Sequence, residues 1–174
     1  NWLMAVMYFE TAGTFSASIR NPYSNATGLI QFMPSTAIGL DTTIDELALM
    51  SAEEQLYYVH LYYYPYRHKI KSYVDLYLAT FFPAAMGKDE SYILQTRNIS
   101  ASAIADVNPV FDLNKDRQIT VGEIKQVIID KIPQAWRSYF LGNTSDGFAS
   151  KKKSLIPKVI GISLLSYVAY KIVP

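Results

Sequence analysis

The run Trp2-Leu3-Met4-Ala5-Val6-Met7-Tyr8-Phe9-Glu10-Thr11-Ala12-Gly13 decides how this chain folds. From residue 2 to about 12 it is apolar nearly all round, which predicts a buried helix rather than one with a wet face. Gly13 stands where a left-handed C-terminal cap falls, so Glu10 is expected in the last turn of a core helix. Further on, Asn21-Pro22-Tyr23-Ser24-Asn25 is dense in turn formers. It leads into Gly28-Leu29-Ile30-Gln31-Phe32-Met33-Pro34, after which Pro34-Ser35-Thr36 is suited to open another helix. The chain thus offers one carboxylic acid on an apolar helix, then a glycine-led turn carrying an amide.

Helices dominate the rest of the chain. Thr43 with Glu46, and Ser51 with Glu54, fit the capping-box pattern, in which a hydroxyl and a Glu three residues later satisfy orphan amides at a helix start. They predict helices near 44–50 and 52–64, the second ended by Pro65. Ile70, Tyr73, Val74, Tyr77, Leu78 and Phe81 recur at helical spacing and predict another from about 69 to 82. An Ala/Ser/Ile segment covers 99–107. Ile124, Val127 and Ile128 mark a helix after residue 123, and Pro133 begins one through Trp136, Tyr139 and Phe140. No stretch alternates apolar and polar residues over strand length, so the class is mainly α.

With 174 residues, the chain is long enough for one well-buried core plus a tail. Half of its residues are apolar, 18% are charged, and 14 Tyr, 8 Phe and 2 Trp set it apart from disordered sequences. A net charge of +1 gives no electrostatic case for nucleic acid, whose binding relies on clustered cations. The absence of Cys rules out disulfides and thiolate metal sites. No Met starts the chain and no signal-peptide succession is read there, so it reads as processed or cut from something longer. His60 and His68 lack companions at ligand spacing and do not read as a metal site.

Glu10 among Met7, Phe9 and other apolar neighbours suits acid catalysis, because desolvation disfavours the carboxylate and raises its pKa. The alternative is a Glu exposed at a helix end or paired with Arg20. Gln31 offers a donor and an acceptor suited to sugar hydroxyls or an acetamido group, and Gly28 lets backbone approach a ligand. The alternative there is an amide that only satisfies neighbouring backbone. Tyr57, Tyr58, Tyr62, Tyr63, Tyr64 and Tyr66 either wall a groove or pack helices.

Taken together, Glu10-Thr11-Ala12-Gly13 and Ala26-Thr27-Gly28-Leu29-Ile30-Gln31-Phe32-Met33-Pro34-Ser35-Thr36-Ala37 resemble the soluble lytic transglycosylase family, with its Glu-Ser and Gly-Leu-Met-Gln motifs. Ala79-Thr80-Phe81-Phe82-Pro83-Ala84-Ala85 is a counterpart of the family's Ala-Tyr-Asn-Ala-Gly, with Phe81 and Phe82 where Tyr and Asn are usual. The resemblance covers residues 1–90. It implies a lysozyme-like helical domain of the goose-type class and cleavage of peptidoglycan between N-acetylmuramic acid and N-acetylglucosamine. Glu10 is then acid and base, and Thr11, Gly28, Leu29, Gln31, Met33 and Phe81 contact substrate. One Glu closes a 1,6-anhydro ring on the muramic acid without water, so no second carboxylate is needed; Asp41 and Asp45 are the nearest later acids. A muramidase on the same scaffold, and a non-catalytic wall-binding or virion structural protein, are the alternative readings. The resemblance places the activity at the bacterial cell wall, in the periplasm or envelope, with delivery in a phage particle as one route.

The segment 112–123 resembles an EF-hand loop: Asp112, Asn114 and Asp116 at positions 1, 3 and 5, the Gln118 carbonyl at 7, Thr120 at 9 and Glu123 at 12. Hard oxygen ligands at these positions wrap a calcium ion. Arg117 stands where Gly usually permits the sharp turn, which predicts strain and a positive charge near the site. An Asp/Asn-rich turn capping the next helix is the plainer reading. The domain so defined runs over 1–141, a linker over 142–153 and an apolar C-terminal helix over 154–174. In that last segment only residues 159–170 run uninterrupted between Lys158 and Lys171, short of the roughly 20 residues a membrane span needs. Membrane anchor, docking helix in a larger assembly such as a virion, and core packing are all open to it.

Overall fold

A run with no polar face gains little from forming a helix on its own and must be surrounded to persist. In the computed structural model, which describes residues 1–137 and 140, that run is α1 (Trp2–Glu10). It is succeeded by α2 (Pro34–Gly39), α3 (Ile44–Leu49), α4 (Ala52–Tyr63), α5 (Tyr73–Phe81), α6 (Ala101–Val107) and α7 (Val121–Asp130). Short 3-10 turns lie at Tyr64–Tyr66, Pro83–Ala85 and Gln134–Trp136. The protein is mainly helical, and the described residues pair in extended form only at isolated bridges: Arg20 with Thr27, Thr27 with Phe32, and Ile93 with Thr120.

Local chemistry sets most boundaries. Gly13 ends the first turn region with φ of +81° and donates its amide to the Tyr8 carbonyl at 2.7 Å. Reciprocal capping boxes open α3 (Thr43 with Glu46), α4 (Ser51 with Glu54) and α7 (Thr120 with Glu123). The first two starts fall where the sequence predicts them. Helix α5 begins later than residue 69, because Ser72 accepts the Asp75 amide at 3.0 Å and caps it there. The Asp75 carboxylate in turn accepts from the Lys71 amide, the Ser72 hydroxyl and the Gly87 amide at 2.9–3.0 Å. The Ala/Ser/Ile segment holds a true helix, α6, capped by the Ser100 hydroxyl. After Pro133 the backbone forms a 3-10 turn through Trp136.

One core joins these elements. Helix α1 packs on α5, with the Phe9 and Tyr77 rings edge to face at 5.3 Å. Leu29, Ile30 and Phe32 from the glycine-led turn are buried in the same cluster as Ile104 of α6 and Ile124 and Ile128 of α7. Phe111, just ahead of the 112–123 loop, places its ring 5.0 Å from Phe81, 5.9 Å from Tyr77 and 6.1 Å from Phe9. No helix among the described residues is long and apolar enough to cross a membrane. The linker 142–153 and the segment 154–174 lie outside the described residues.

Candidate active site and cation loop

Because α1 is apolar on every side, its last turn carries Glu10 into the core, where the residue is 2% exposed. Arg20 is not its partner: that guanidinium donates to Asp45 at 2.7 Å and to the Ile44 carbonyl at 3.2 Å. Around the acid stand phenols from α4 and α5. The hydroxyls of Tyr62, Tyr63, Tyr73 and Tyr77 are all pushed above the ordinary phenol range, chiefly by burial, and the charge of Glu10 adds to the effect in each. Tyr62 donates to the Ala79 carbonyl at 2.9 Å, and Tyr63 shares a short hydrogen bond with Thr80. The rest of the tyrosine run divides, with Tyr57 and Tyr64 exposed and Arg67 stacked 3.9 Å over the Tyr64 ring.

Thr11 is buried, and its hydroxyl donates to the Met7 carbonyl at 2.7 Å while accepting the Phe15 amide at 2.9 Å. It fastens the end of the helix that holds Glu10. The glycine-led turn is closed by mutual amide bonds between Thr27 and Phe32 at 2.8 and 2.9 Å. Gly28 (φ +81°) and Gln31 (φ +51°) both adopt the left-handed conformation that lets the chain reverse there. The Gln31 amide nitrogen donates to the Gly28 carbonyl at 3.1 Å and the Ile19 carbonyl at 3.3 Å. Its Oε1 is buried and has no hydrogen-bond partner among the described residues.

Gln55 on α4, which no sequence motif marks, sets this turn. It is fully buried; its Oε1 accepts the Leu29 amide at 2.6 Å, and its Nε2 donates to the Leu47 carbonyl at 2.9 Å and the Ala17 carbonyl at 3.1 Å. A Cβ on Gly28 would stand 2.2 Å from that Oε1. Gly28 is therefore needed for room as well as for conformation. A polar residue in the middle of a predicted helix, with no role on its surface, is the only sign of Gln55 in the sequence.

Of the other predicted substrate contacts, Leu29 and Phe81 are enclosed in the core, Phe81 against Tyr77 and Phe111, while Met33 is half-buried at the start of α2. Two cavities lie elsewhere. One of about 250 Å³ is lined by Asn1, Met4, Trp136 and Phe140. The other, of about 300 Å³, runs beside Asp75, Lys88, Glu90 and Lys125.

The 112–123 loop curls so that both ends meet. Asp112 accepts the amides of Asp116 at 3.1 Å and Arg117 at 3.0 Å, Asn114 accepts the Asp116 amide at 3.0 Å, and Asp116 accepts the Gln118 amide at 2.9 Å. Glu123 reaches back to the Leu113 amide at 3.0 Å while its other oxygen caps α7 through Thr120. The distal half is held by the segment before α6: Leu94 donates to the Ile119 carbonyl at 2.8 Å and Val121 to the Tyr92 carbonyl at 3.0 Å. Arg117 takes φ of +63° in the place of the usual glycine, a strained choice for a long side chain. Its guanidinium is drawn away to Asp106 on α6, at 2.6 and 3.1 Å, and the pairing holds the Asp106 carboxyl below the usual carboxylate range. Among the described residues no three His, Asp or Glu side chains are gathered to hold a metal; the loop's carboxylates rest on backbone amides. The donors that the loop offers are all oxygens, the ligand type that calcium takes.

Comparison with protein-family models, curated proteins and solved structures gives no match for this chain.

Proposed function

We propose that this chain is a peptidoglycan lytic transglycosylase on a lysozyme-like helical scaffold, with Glu10 as its general acid and base. The observation that carries the reading is the burial of Glu10 at the end of an apolar helix, beside neutral phenols and with Arg20 engaged elsewhere. Burial penalises the charged form of a carboxylic acid and so works toward the protonated acid that glycosidic cleavage requires. The proton passes from Glu10 to the glycosidic oxygen as the bond to the muramic acid breaks. The carboxylate so formed then takes the proton of that sugar's own hydroxymethyl group, whose oxygen closes the 1,6-anhydro ring. Supporting a single-acid route, Glu10 and Asp75 are the only buried carboxylates among the described residues, and Asp75 is bound to three donors at the start of α5. An acid pair working at about 5–9.5 Å would suit a hydrolase instead. Gln31 is the substrate contact in this reading, with its buried Oε1 as the acceptor that a sugar amide or hydroxyl would meet once the turn opens to it, while Thr11 and Gly28 act by holding the acid and the turn.

Calcium, when bound, would be held by Asp112, Asn114, Asp116, the Gln118 carbonyl, Thr120 and Glu123, and would supply rigidity to the loop rather than reaction chemistry. The place of action in this reading is the bacterial envelope, reached directly or as part of a phage particle.

The test is mass spectrometry of fragments released from purified peptidoglycan. Anhydro products, one water lighter than hydrolytic ones, are expected from the native chain and none from Glu10→Gln. Water-containing products would make it a muramidase. A second reading, a wall-binding protein without turnover, is favoured by the enclosure of Phe81 and Phe82 where the family carries polar contacts. Binding without fragment release, unchanged by Glu10→Gln, would establish it.

A further inference from the structure

An apolar groove is walled by Trp136, one of the two tryptophans in the sequence. It lies between the start of α1 and the Gln134–Trp136 turn and is lined by Asn1, Met4, Trp136 and Phe140, with a volume of about 250 Å³. Met4 is 44% exposed. The Trp136 ring is held in place by Tyr8 at 5.2 Å and Phe15 at 6.2 Å. An apolar concavity that stays open to water is costly, and exposed patches of this kind mark a surface that something covers.

We propose that the occupant is the C-terminal segment of the same chain, residues 159–170, laid into this groove by its apolar stripe. Three observations select it. Phe140, the last described residue, is itself a wall of the groove, so the 34 residues from 141 to 174 leave from its edge. The polar stretch 142–153 spans at most about 40 Å when extended, which keeps the segment at millimolar effective concentration over the groove. Its stretch free of charged residues is twelve residues long, about 18 Å if helical, short of the roughly 30 Å of a bilayer core but ample for a surface groove. Ile160, Leu164 and Val168 recur every fourth residue, the spacing of a single apolar stripe on a helix, with Lys158 and Lys171 bounding the run in the sequence.

The chain has no cysteine, so introduced pairs report without background. In the full-length chain at low concentration, Met4→Cys combined in turn with Ile160→Cys, Leu164→Cys and Val168→Cys should oxidise within one molecule at one of the three positions well ahead of the others, seen as a fast-migrating monomer on non-reducing gels, whereas equal cross-linking at all three would mean a loose tether and overturn the proposal. Leu164→Asp should shift tryptophan emission to the red and raise its quenching by acrylamide, with far-ultraviolet circular dichroism unchanged. Leu165→Asp, off the stripe, should leave emission as it was. Cross-links found only in dimers would assign the groove to a second copy and overturn the proposal. So would absence of cross-links together with an emission change on adding phosphatidylethanolamine–phosphatidylglycerol vesicles, which would assign the segment to a membrane. Equal response to Leu164→Asp and Leu165→Asp, or none to either, would also overturn it.

Discussion

Replacing Gly28 by Ala tests how the glycine-led turn is built. A Cβ there meets Gln55 Oε1 at 2.2 Å and its amide nitrogen at 2.5 Å, too close for any adjustment short of moving the buried amide. The cost has two parts. An L-residue forced to φ of +81° loses about 1–2 kcal/mol. Displacing Gln55 breaks its bonds to Leu29, Leu47 and Ala17, and each buried group left unsatisfied costs about 1–3 kcal/mol. Even with one of the three lost, Gly28→Ala should destabilise by about 3 kcal/mol, and by about 5 kcal/mol with two. That is a large share of the 5–15 kcal/mol of a typical domain, so urea unfolding monitored by circular dichroism will read it easily. The double mutant isolates the cause. Once Gln55→Ala has removed the amide, Gly28→Ala should cost only the backbone strain, leaving a coupling of about 2–3 kcal/mol between the sites. Additive losses, or a Gly28→Ala cost under about 1 kcal/mol, would show that the close approach is not what demands glycine.

The buried phenols and the 112–123 loop give two further expected outcomes. Tyr62, Tyr63, Tyr73 and Tyr77 hold their protons longer in the fold than free phenols do, so their contribution is complete below pH about 10 and is lost as pH rises above it. Alkaline titration watched by tyrosinate absorbance should therefore show part of the 14 tyrosines ionising only together with unfolding; smooth ionisation of all of them near pH 10 would contradict this. At calcium a hundredfold above its dissociation constant, stabilisation of about 2.7 kcal/mol should raise Tm by roughly 5–10 °C, and Glu123→Gln should remove the rise. An unchanged Tm for the native chain would count against the cation loop.

The features legible in the sequence are those that depend on neighbours along the chain. The starts of α3 and α4 can be read because Thr43 with Glu46 and Ser51 with Glu54 are complete signals within four residues. Periodicity places the start of α5 too early, because Ile70 fits the apolar spacing yet packs on the core from outside the helix, beyond the Ser72 cap. Helix α6 is hard to read because its composition is small and weakly periodic, although Ser100 is there as a cap. Glu10 can be placed in a dry last turn from composition alone, but its separation from Arg20 depends on Asp45, 25 residues beyond that arginine. Gln55 binds partners 38, 26 and 8 residues distant, and no local pattern announces such a residue. The shape of the 112–123 loop is written in its side chains; the rerouting of Arg117 to Asp106 is not.

Phe111 has its ring among Phe9, Tyr77 and Phe81, while its backbone leads straight into Asp112. The first residue of the acidic loop and the neighbour of the core acid therefore rest on a common floor. Any substitution that pulls Phe111 tilts both, so attempts to retune the loop by altering its root will disturb the far end of α1, whereas changes at its exposed tip, around Lys115, leave that floor untouched.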